Sequence, residues 1–116
     1  MWGGKAIRDY LFIDDAINAY VLLATASINK IGDNRVFNFG GSNVISVKDL
    51  IQKIIILSGK NLKIKKANME REREIASQYV SSKKAARLFG WKPEVSLDEG
   101  LQKTIAWYLK FLYNKS

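Results

Sequence analysis

The stretch Arg8-Asp9-Tyr10-Leu11-Phe12-Ile13-Asp14-Asp15-Ala16 sets the fold, because it joins an apolar strand pattern to the start of a helix. Residues 8–13 are predicted to form a β-strand. Asp14 or Asp15 is expected to cap the following helix, since a carboxylate there accepts hydrogen bonds from free backbone N–H groups and faces the positive end of the helix dipole. The stretch therefore predicts a strand–helix unit of an α/β domain.

Two further strands are predicted downstream. Residues 36–39, Val-Phe-Asn-Phe, are predicted to form a short strand before the loop 40–43. Residues 62–67 alternate apolar residues with lysines, as in a charged edge strand. The helix after the first strand has apolar residues at helical spacing. These are Ala16, Ile17, Tyr20, Leu23, Ala24 and Ile28.

Three more helices are indicated by capping residues. Ser46 with Asp49 forms a capping box, and Gly59 ends that helix; Ser81 or Ser82 precedes a short helix ended by Gly90. A second box at residues 96–99 begins the last helix, whose predicted apolar face has six members. These are Leu97, Leu101, Ile105, Tyr108, Leu109 and Leu112. The pattern predicts an α/β unit over residues 1–116, with about four helices and three short strands that need a covering neighbour.

Composition excludes several classes of site. The 116 residues include no cysteine and no histidine, which removes disulfides, thiolate or imidazole metal ligands, and His-based nucleophile systems. No run of 18 apolar residues is present, so no membrane helix is predicted. A cytoplasmic location is the simplest expectation.

The net charge of +8 is concentrated in the second half of the chain. Residues 1–58 hold 6 Lys/Arg and 5 Asp/Glu, whereas residues 59–116 hold 13 and 6. A basic half indicates an anionic partner, either nucleic acid or a phosphorylated metabolite, or else a solvated lysine-rich surface.

Five segments, in order and spacing, resemble the C-terminal third of the nucleotide-sugar 4-epimerases and 4,6-dehydratases, NAD-dependent members of the extended short-chain dehydrogenase/reductase family. Their amino-acid sequences are most similar to those of CDP-glucose 4,6-dehydratase-like members. The segments are residues 4–16, 36–43, 46–50, 81–93 and 96–108.

The resemblance implies a substrate-binding region without the N-terminal Rossmann half. In such enzymes that half holds NAD and a catalytic Tyr-x-x-x-Lys, and a hydride leaves C4 of the sugar and is returned after epimerisation (an isomerase) or loss of water (a lyase). The chain alone is therefore expected to be inactive. Its expected partners are a nucleotide sugar, a Rossmann half in the same or a separate chain, and further copies of itself in a homo-oligomer.

The resemblance also implies four substrate-binding residues and no catalytic or metal-binding ones. Arg8 matches an arginine that contacts the diphosphate, and Asn43 matches a position that hydrogen-bonds the base. Arg71, or Arg73 in its place, matches a second diphosphate arginine, and Glu74 matches an acid that binds the ribose hydroxyls. The alternative for Arg8 is an arginine at a strand start that pairs with Asp9, and the alternative for Asn43 is a turn asparagine. For the segment that holds Arg71, Arg73 and Glu74, the alternative is a solvated run of charges.

Tyr79 and Lys83 have the Tyr-x-x-x-Lys spacing, but Tyr79 is predicted to lie in a strand before the helix that holds Lys83. The sequence also contains no G-x-G-x-x-G loop for a dinucleotide. Two other functions compete with the main hypothesis: a basic nucleic-acid-binding module and a separate subunit of a split enzyme. Trp91 and Trp107 are predicted to be core residues, which argues against a base-stacking surface.

Overall fold

The described structure is a small three-stranded sheet with four α-helices. It is a computed structural model that describes residues 3–27, 31–32, 35–65 and 75–113. After a short 3-10 turn at Gly3–Lys5, the strands are β1, β2 and β3 at Ile7–Asp9, Val44–Ser46 and Ser77–Gln78. The helices α1 to α4 span Ile13–Thr25, Val47–Ser58, Lys83–Phe89 and Leu97–Tyr113. The predicted α/β class, with four helices and three short strands among the described residues, is confirmed.

Strand β1 lies in the centre of the sheet, in the order β2-β1-β3. It pairs antiparallel with β2, where Arg8 faces Ile45, and parallel with β3, where Arg8 faces Gln78. Because β1 has a neighbour on both sides, its end at Asp9 is the fixed point from which the surrounding loops are positioned.

The positions of the strands differ from the predictions. β1 covers residues 7–9 instead of 8–13, because α1 already begins at Ile13. Residues 36–39 form no strand. Lys84 Nζ on α3 donates to the carbonyl oxygen of Val36 at 2.6 Å, and the amide of Gly40, the residue after this segment, donates to Ser82 Oγ at 2.7 Å. Residues 62–65 are also outside any strand, and residues 66 and 67 lie outside the described part.

Helix α2 is capped as predicted. Ser46 Oγ accepts from the amide of Asp49 at 3.1 Å and donates to its carboxylate at 2.6 Å. Gly59 ends the helix at φ 64°, a left-handed conformation that glycine adopts without a steric penalty. At α4, the amide of Glu99 donates to Ser96 Oγ at 3.3 Å, so the second predicted capping serine is confirmed.

The core lies between α1, α3 and the chain after α3. Its fully buried members are Ala19, Ala85 and Trp91, and the ring of Phe39 contacts Trp91 edge-on at 4.9 Å between centroids. On α1, Ile17 and Tyr20 of the predicted apolar spacing are exposed, and Ala19 lies in the core.

Much apolar surface remains uncovered in this chain. The second half of α4 exposes Trp107, Tyr108 and Leu112, and α1 exposes Ile13 and Tyr20. The Cα radius of gyration is 17.5 Å, against about 13 Å for a compact domain of this length. The sequence expectation that these helices need a covering neighbour agrees with this open shape. Within the described part of the chain, none of the helices is long and apolar enough to cross a bilayer.

Candidate functional site

A cleft of about 200 Å³ lies at the end of β1. Three stretches of chain enclose it: the strand end, the glycine pair of the loop after residue 39, and the chain leaving β3. Its lining residues are Arg8, Asp9, Leu11, Phe39, Gly40, Gly41, Gln78, Tyr79 and Val80. Only one cation and one carboxylate are among them, and they are neighbours on β1.

Arg8 lines this cleft from the central strand and is partly buried. Its Nη1 donates to the carbonyl oxygen of Ile7 at 2.7 Å, which directs the guanidinium along the strand. A guanidinium presents a rigid fork of N–H donors that matches the oxygens of a phosphate or carboxylate. The sheet thus presents a cation to a small, partly enclosed space.

The loop 40–43 forms one wall of the cleft and packs directly on the end of β1. A Cβ at Gly41 would overlap the carbonyl group of Tyr10, and one at Gly40 would lie 2.9 Å from the carbonyl oxygen of Val80. Both positions therefore require glycine because the backbone passes too close to its neighbours for any side chain. The wall that results is made of backbone, which leaves room beside the cation.

Asn43 secures the same loop and does not line the cleft. Its Nδ2 donates to the carbonyl oxygen of Tyr10 at 2.9 Å, and its backbone amide donates to Asp9 Oδ1 at 2.9 Å. The nitrogen of its side-chain amide is thus used within the chain, while the amide oxygen has no hydrogen-bond partner among the described residues. The bond between Asp9 and the amide of Asn43 was not predicted, because the two residues are 34 positions apart in the sequence.

The other two predicted contacts cannot be placed. Arg71 and Glu74, together with the alternative Arg73, lie outside the described residues. Their roles stay predictions. The structure therefore brings Arg8 to the cleft and Asn43 to the back of its glycine wall.

The prediction that Asp14 or Asp15 caps α1 is wrong. The residue at the cap position is Phe12, with no side-chain cap hydrogen bond. Asp15 is 2% exposed, and its two oxygens accept from the amides of Glu94 and Val95 at 3.0 and 3.1 Å. A buried carboxylate needs such partners, and here they come from the loop before α4, which only the tertiary fold brings close.

Tyr79 and Lys83 belong to different elements. Tyr79 follows β3 and is 64% exposed, whereas Lys83 is the first residue of α3. The two side chains therefore do not share a helix face, as the sequence predicted. Among the residues that the structure describes, no group of three or more His, Cys, Asp or Glu is arranged to hold a metal ion.

A second, larger groove of about 700 Å³ runs between the start of α1 and the exposed half of α4. Trp107 and Tyr108 line it, and Lys103 lies above the ring of Phe12 at 5.6 Å. The hydrogen bond to Glu99 raises the pKa of Lys103. This groove is apolar and holds none of the predicted site residues.

Comparisons with known proteins show the family of this chain. A family model described as GDP-mannose 4,6 dehydratase matches residues 2–104. The UDP-glucuronate 4-epimerase of Thermodesulfobacterium geofontis is 31% identical over 104 residues, which are 90% of this chain and 31% of that protein.

Two solved structures share the fold. The UDP-glucose 4-epimerase of Thermotoga maritima with UDP-glucose superposes with a TM-score of 0.81 at 32% identity, over 94% of this chain and 33% of that one. The dTDP-glucose 4,6-dehydratase of Bacillus anthracis in complex with NAD gives 0.69 at 26% identity, over 92% and 32%. The chain spans about a third of the length of the relatives that it matches.

The order of the motifs, the sheet around Arg8 and these matches support one another, and the resemblance inferred from the sequence is confirmed. The chain belongs to the GDP-mannose 4,6 dehydratase family, among the NAD-dependent nucleotide-sugar epimerases and dehydratases of the extended short-chain dehydrogenase/reductases, and corresponds to one part of those enzymes.

Proposed function

We propose that this chain binds the nucleoside diphosphate of a nucleotide sugar and orients it for a 4-epimerase or 4,6-dehydratase. The observation that supports this most is the position of Arg8. It lies on the central strand and lines a cleft that the backbone of Gly40 and Gly41 also lines. A fixed guanidinium beside a wall without side chains suits a diphosphate, which needs both charge complementarity and close approach.

Within the proposal, Arg8 contacts the diphosphate and Asn43 contacts the base. One N–H of the Asn43 side chain is donated to Tyr10, which leaves its second N–H as a donor and its Oδ1 as an acceptor for a ligand. Asn43 would therefore bind the edge of the base through one or both of these groups. Arg71 or Arg73 and Glu74 complete the proposal as contacts to the diphosphate and ribose.

NAD is implied by the family, and we tested whether the described residues fit it. A dinucleotide pyrophosphate is held by a glycine-rich turn between a strand and a helix. Here the turn from β1 to α1 is Tyr10-Leu11-Phe12, β2 runs directly into α2, and the turn from β3 to α3 is Tyr79-Val80-Ser81-Ser82. None of these turns contains a glycine, so the described residues do not fit NAD and no step is assigned to it.

The proposal therefore places NAD and the catalytic Tyr-x-x-x-Lys on a Rossmann partner region, in the same or a separate chain. The 116-residue chain is expected to bind nucleotide without turning over a nucleotide sugar. Robust epimerase or dehydratase turnover, or NAD binding, by these 116 residues alone would contradict this division of roles.

The direct test is calorimetric titration with UDP, dTDP, GDP and CDP, which also tests the prediction of a CDP-sugar substrate. Arg8→Ala should weaken the best of these ligands about tenfold or more, because a charge-assisted contact to phosphate is lost. Arg87→Ala is the matched control, since Arg87 is exposed on α3 and does not line the cleft. Equal losses in the two variants would refute a specific role for Arg8.

A further inference from the structure

Asp9 is the one carboxylate among the residues that line the cleft, directly beside Arg8. A carboxylate here is unexpected on charge alone, because it repels the phosphate oxygens that the proposed function brings to the cleft. Its contacts point to a different use. Oδ1 accepts the backbone amide of Asn43 at 2.9 Å, so this oxygen is directed at the loop.

The loop 40–43 is attached at both ends. At its first residue, the amide of Gly40 donates to Ser82 Oγ at 2.7 Å. At its last residue, Asn43 gives its amide to Asp9 and its side-chain nitrogen to the carbonyl oxygen of Tyr10. Since Gly41 lies against the same carbonyl group, the end of β1 holds the loop through three contacts.

The loop is also held in an uncommon conformation. Ser42 has φ 57°, in the left-handed region that residues with a Cβ seldom adopt. Such a conformation persists where surrounding contacts impose it. The bonds from Asn43 to Asp9 and Tyr10, directly after Ser42, are the contacts that impose it here.

From these contacts we propose that Asp9 is a positioning residue: its carboxylate fixes the loop 40–43 on the end of β1 and so sets the glycine wall of the cleft that Arg8 also lines. This inference rests on the proposed nucleotide binding, which it deepens. Asp9 does not touch the ligand in this role. It acts through the amide of Asn43. The affinity gained by fixing the loop exceeds the affinity lost by repulsion between the carboxylate and the phosphate.

The experiment compares Asp9→Ala, Asp9→Asn and the control Asp49→Ala by titration with the nucleoside diphosphate that the wild-type chain binds best among UDP, dTDP, GDP and CDP. Asp9→Ala removes the acceptor and should weaken binding about tenfold. Asp9→Asn keeps an acceptor oxygen and loses the repelling charge, so its affinity should stay within about threefold of the wild type. The Asp49 carboxylate also accepts a hydrogen bond, from Ser46 Oγ, but at the start of α2 and outside the lining of the cleft, so affinity should not change.

The sign of the effect separates the two roles of this carboxylate. Affinity of Asp9→Ala equal to or tighter than that of the wild type would overturn the inference, because repulsion would then dominate. If the wild-type chain binds none of the four nucleotides, the proposed function itself fails. Binding by the wild type without loss in Asp9→Ala defeats only the role of Asp9.

A measurement on the wild-type chain covers the case in which Asp9→Ala does not fold. Amide hydrogen exchange of Asn43 should slow when the nucleotide binds, since a ligand that favours the fixed loop stabilises the bond from this amide to Asp9. The amide of Asp49, bonded to Ser46 Oγ outside the cleft, is the internal control and should not change. Unchanged exchange at Asn43 under saturating nucleotide would contradict the inference.

Discussion

Two tryptophans lie in regions of this molecule that differ in how far the chain buries its apolar side chains. Trp91 is 6% exposed and packs edge-on against Phe39, close to the wall of the cleft. Trp107 is 58% exposed on α4, and its ring is stacked on Phe111 with centroids 5.0 Å apart. Both were predicted to be core residues. The prediction is confirmed for Trp91 and wrong for Trp107.

The difference shows which part of the fold the chain completes by itself. Around Trp91, the side chains of α1, α3 and the segment 36–43 all converge, and Asp15 fastens the following loop. Around Trp107, aromatic rings of one helix pack mainly on each other, which leaves their outer faces in water. The cleft therefore lies next to a core whose side chains are buried within this chain, whereas the aromatic side chains at the end of α4 stay exposed.

The largest expected effect is that of Trp91→Ala. Removing a buried aromatic ring leaves a cavity beside Phe39 and Ala85, and such changes cost about 3–5 kcal/mol of the free energy of unfolding. Urea unfolding followed by circular dichroism measures the loss. If the cost is below about 1 kcal/mol, the region around Trp91 is not the core, and the comparison of the two regions fails.

A smaller effect is expected for Asp15→Ala, which breaks the tie between α1 and the loop before α4. The amides of Glu94 and Val95 lose their charged acceptor. Because two buried hydrogen bonds to a charged group are removed, the free energy of unfolding should fall by about 3 kcal/mol. Asp14→Ala is the matched control: Asp14 is exposed in the same helical turn, so only a dipole contribution below about 1 kcal/mol is at stake. Equal losses would mean that both carboxylates act through the helix terminus.

The smallest effect is expected for Trp107→Ala. Because this ring is mostly exposed, the free energy of unfolding should change by no more than about 0.5 kcal/mol. The same substitution removes apolar surface from α4, so self-association measured by sedimentation should decrease or stay the same. A loss as large as that of Trp91→Ala would show that the second half of α4 is part of a core.

Helix positions and the family were predictable because their signals are local. Ser46, Gly59 and Ser96 mark helix ends through contacts within a few residues, so the sequence reveals them. The strands were less predictable. Residues 36–39 have a strand pattern, yet Lys84 bonds the backbone of Val36, and Ser82 bonds that of Gly40, which follows this segment. No local pattern records bonds to side chains more than 40 residues away.

The candidate site divides in the same way. Arg8 was identified from its motif, and the structure places it in the cleft. Asp9 was first considered only as its ion-pair partner, and its bond to the amide of Asn43 became visible with the fold. Asn43 was matched to a base contact, while the structure adds that its side-chain nitrogen is already donated to Tyr10.

The sequence by itself determined the family, both ends of α2, the start of α4 and the exclusion of cysteine and histidine chemistry, because these depend on residue identity and short spacing. Only the tertiary structure decided the use of the carboxylates that follow Arg8. Asp9 binds the loop 40–43 and Asp15 binds the loop before α4, while Asp14 stays exposed. A buried carboxylate is stable only where distant backbone amides converge on it, and that convergence is a property of the folded chain.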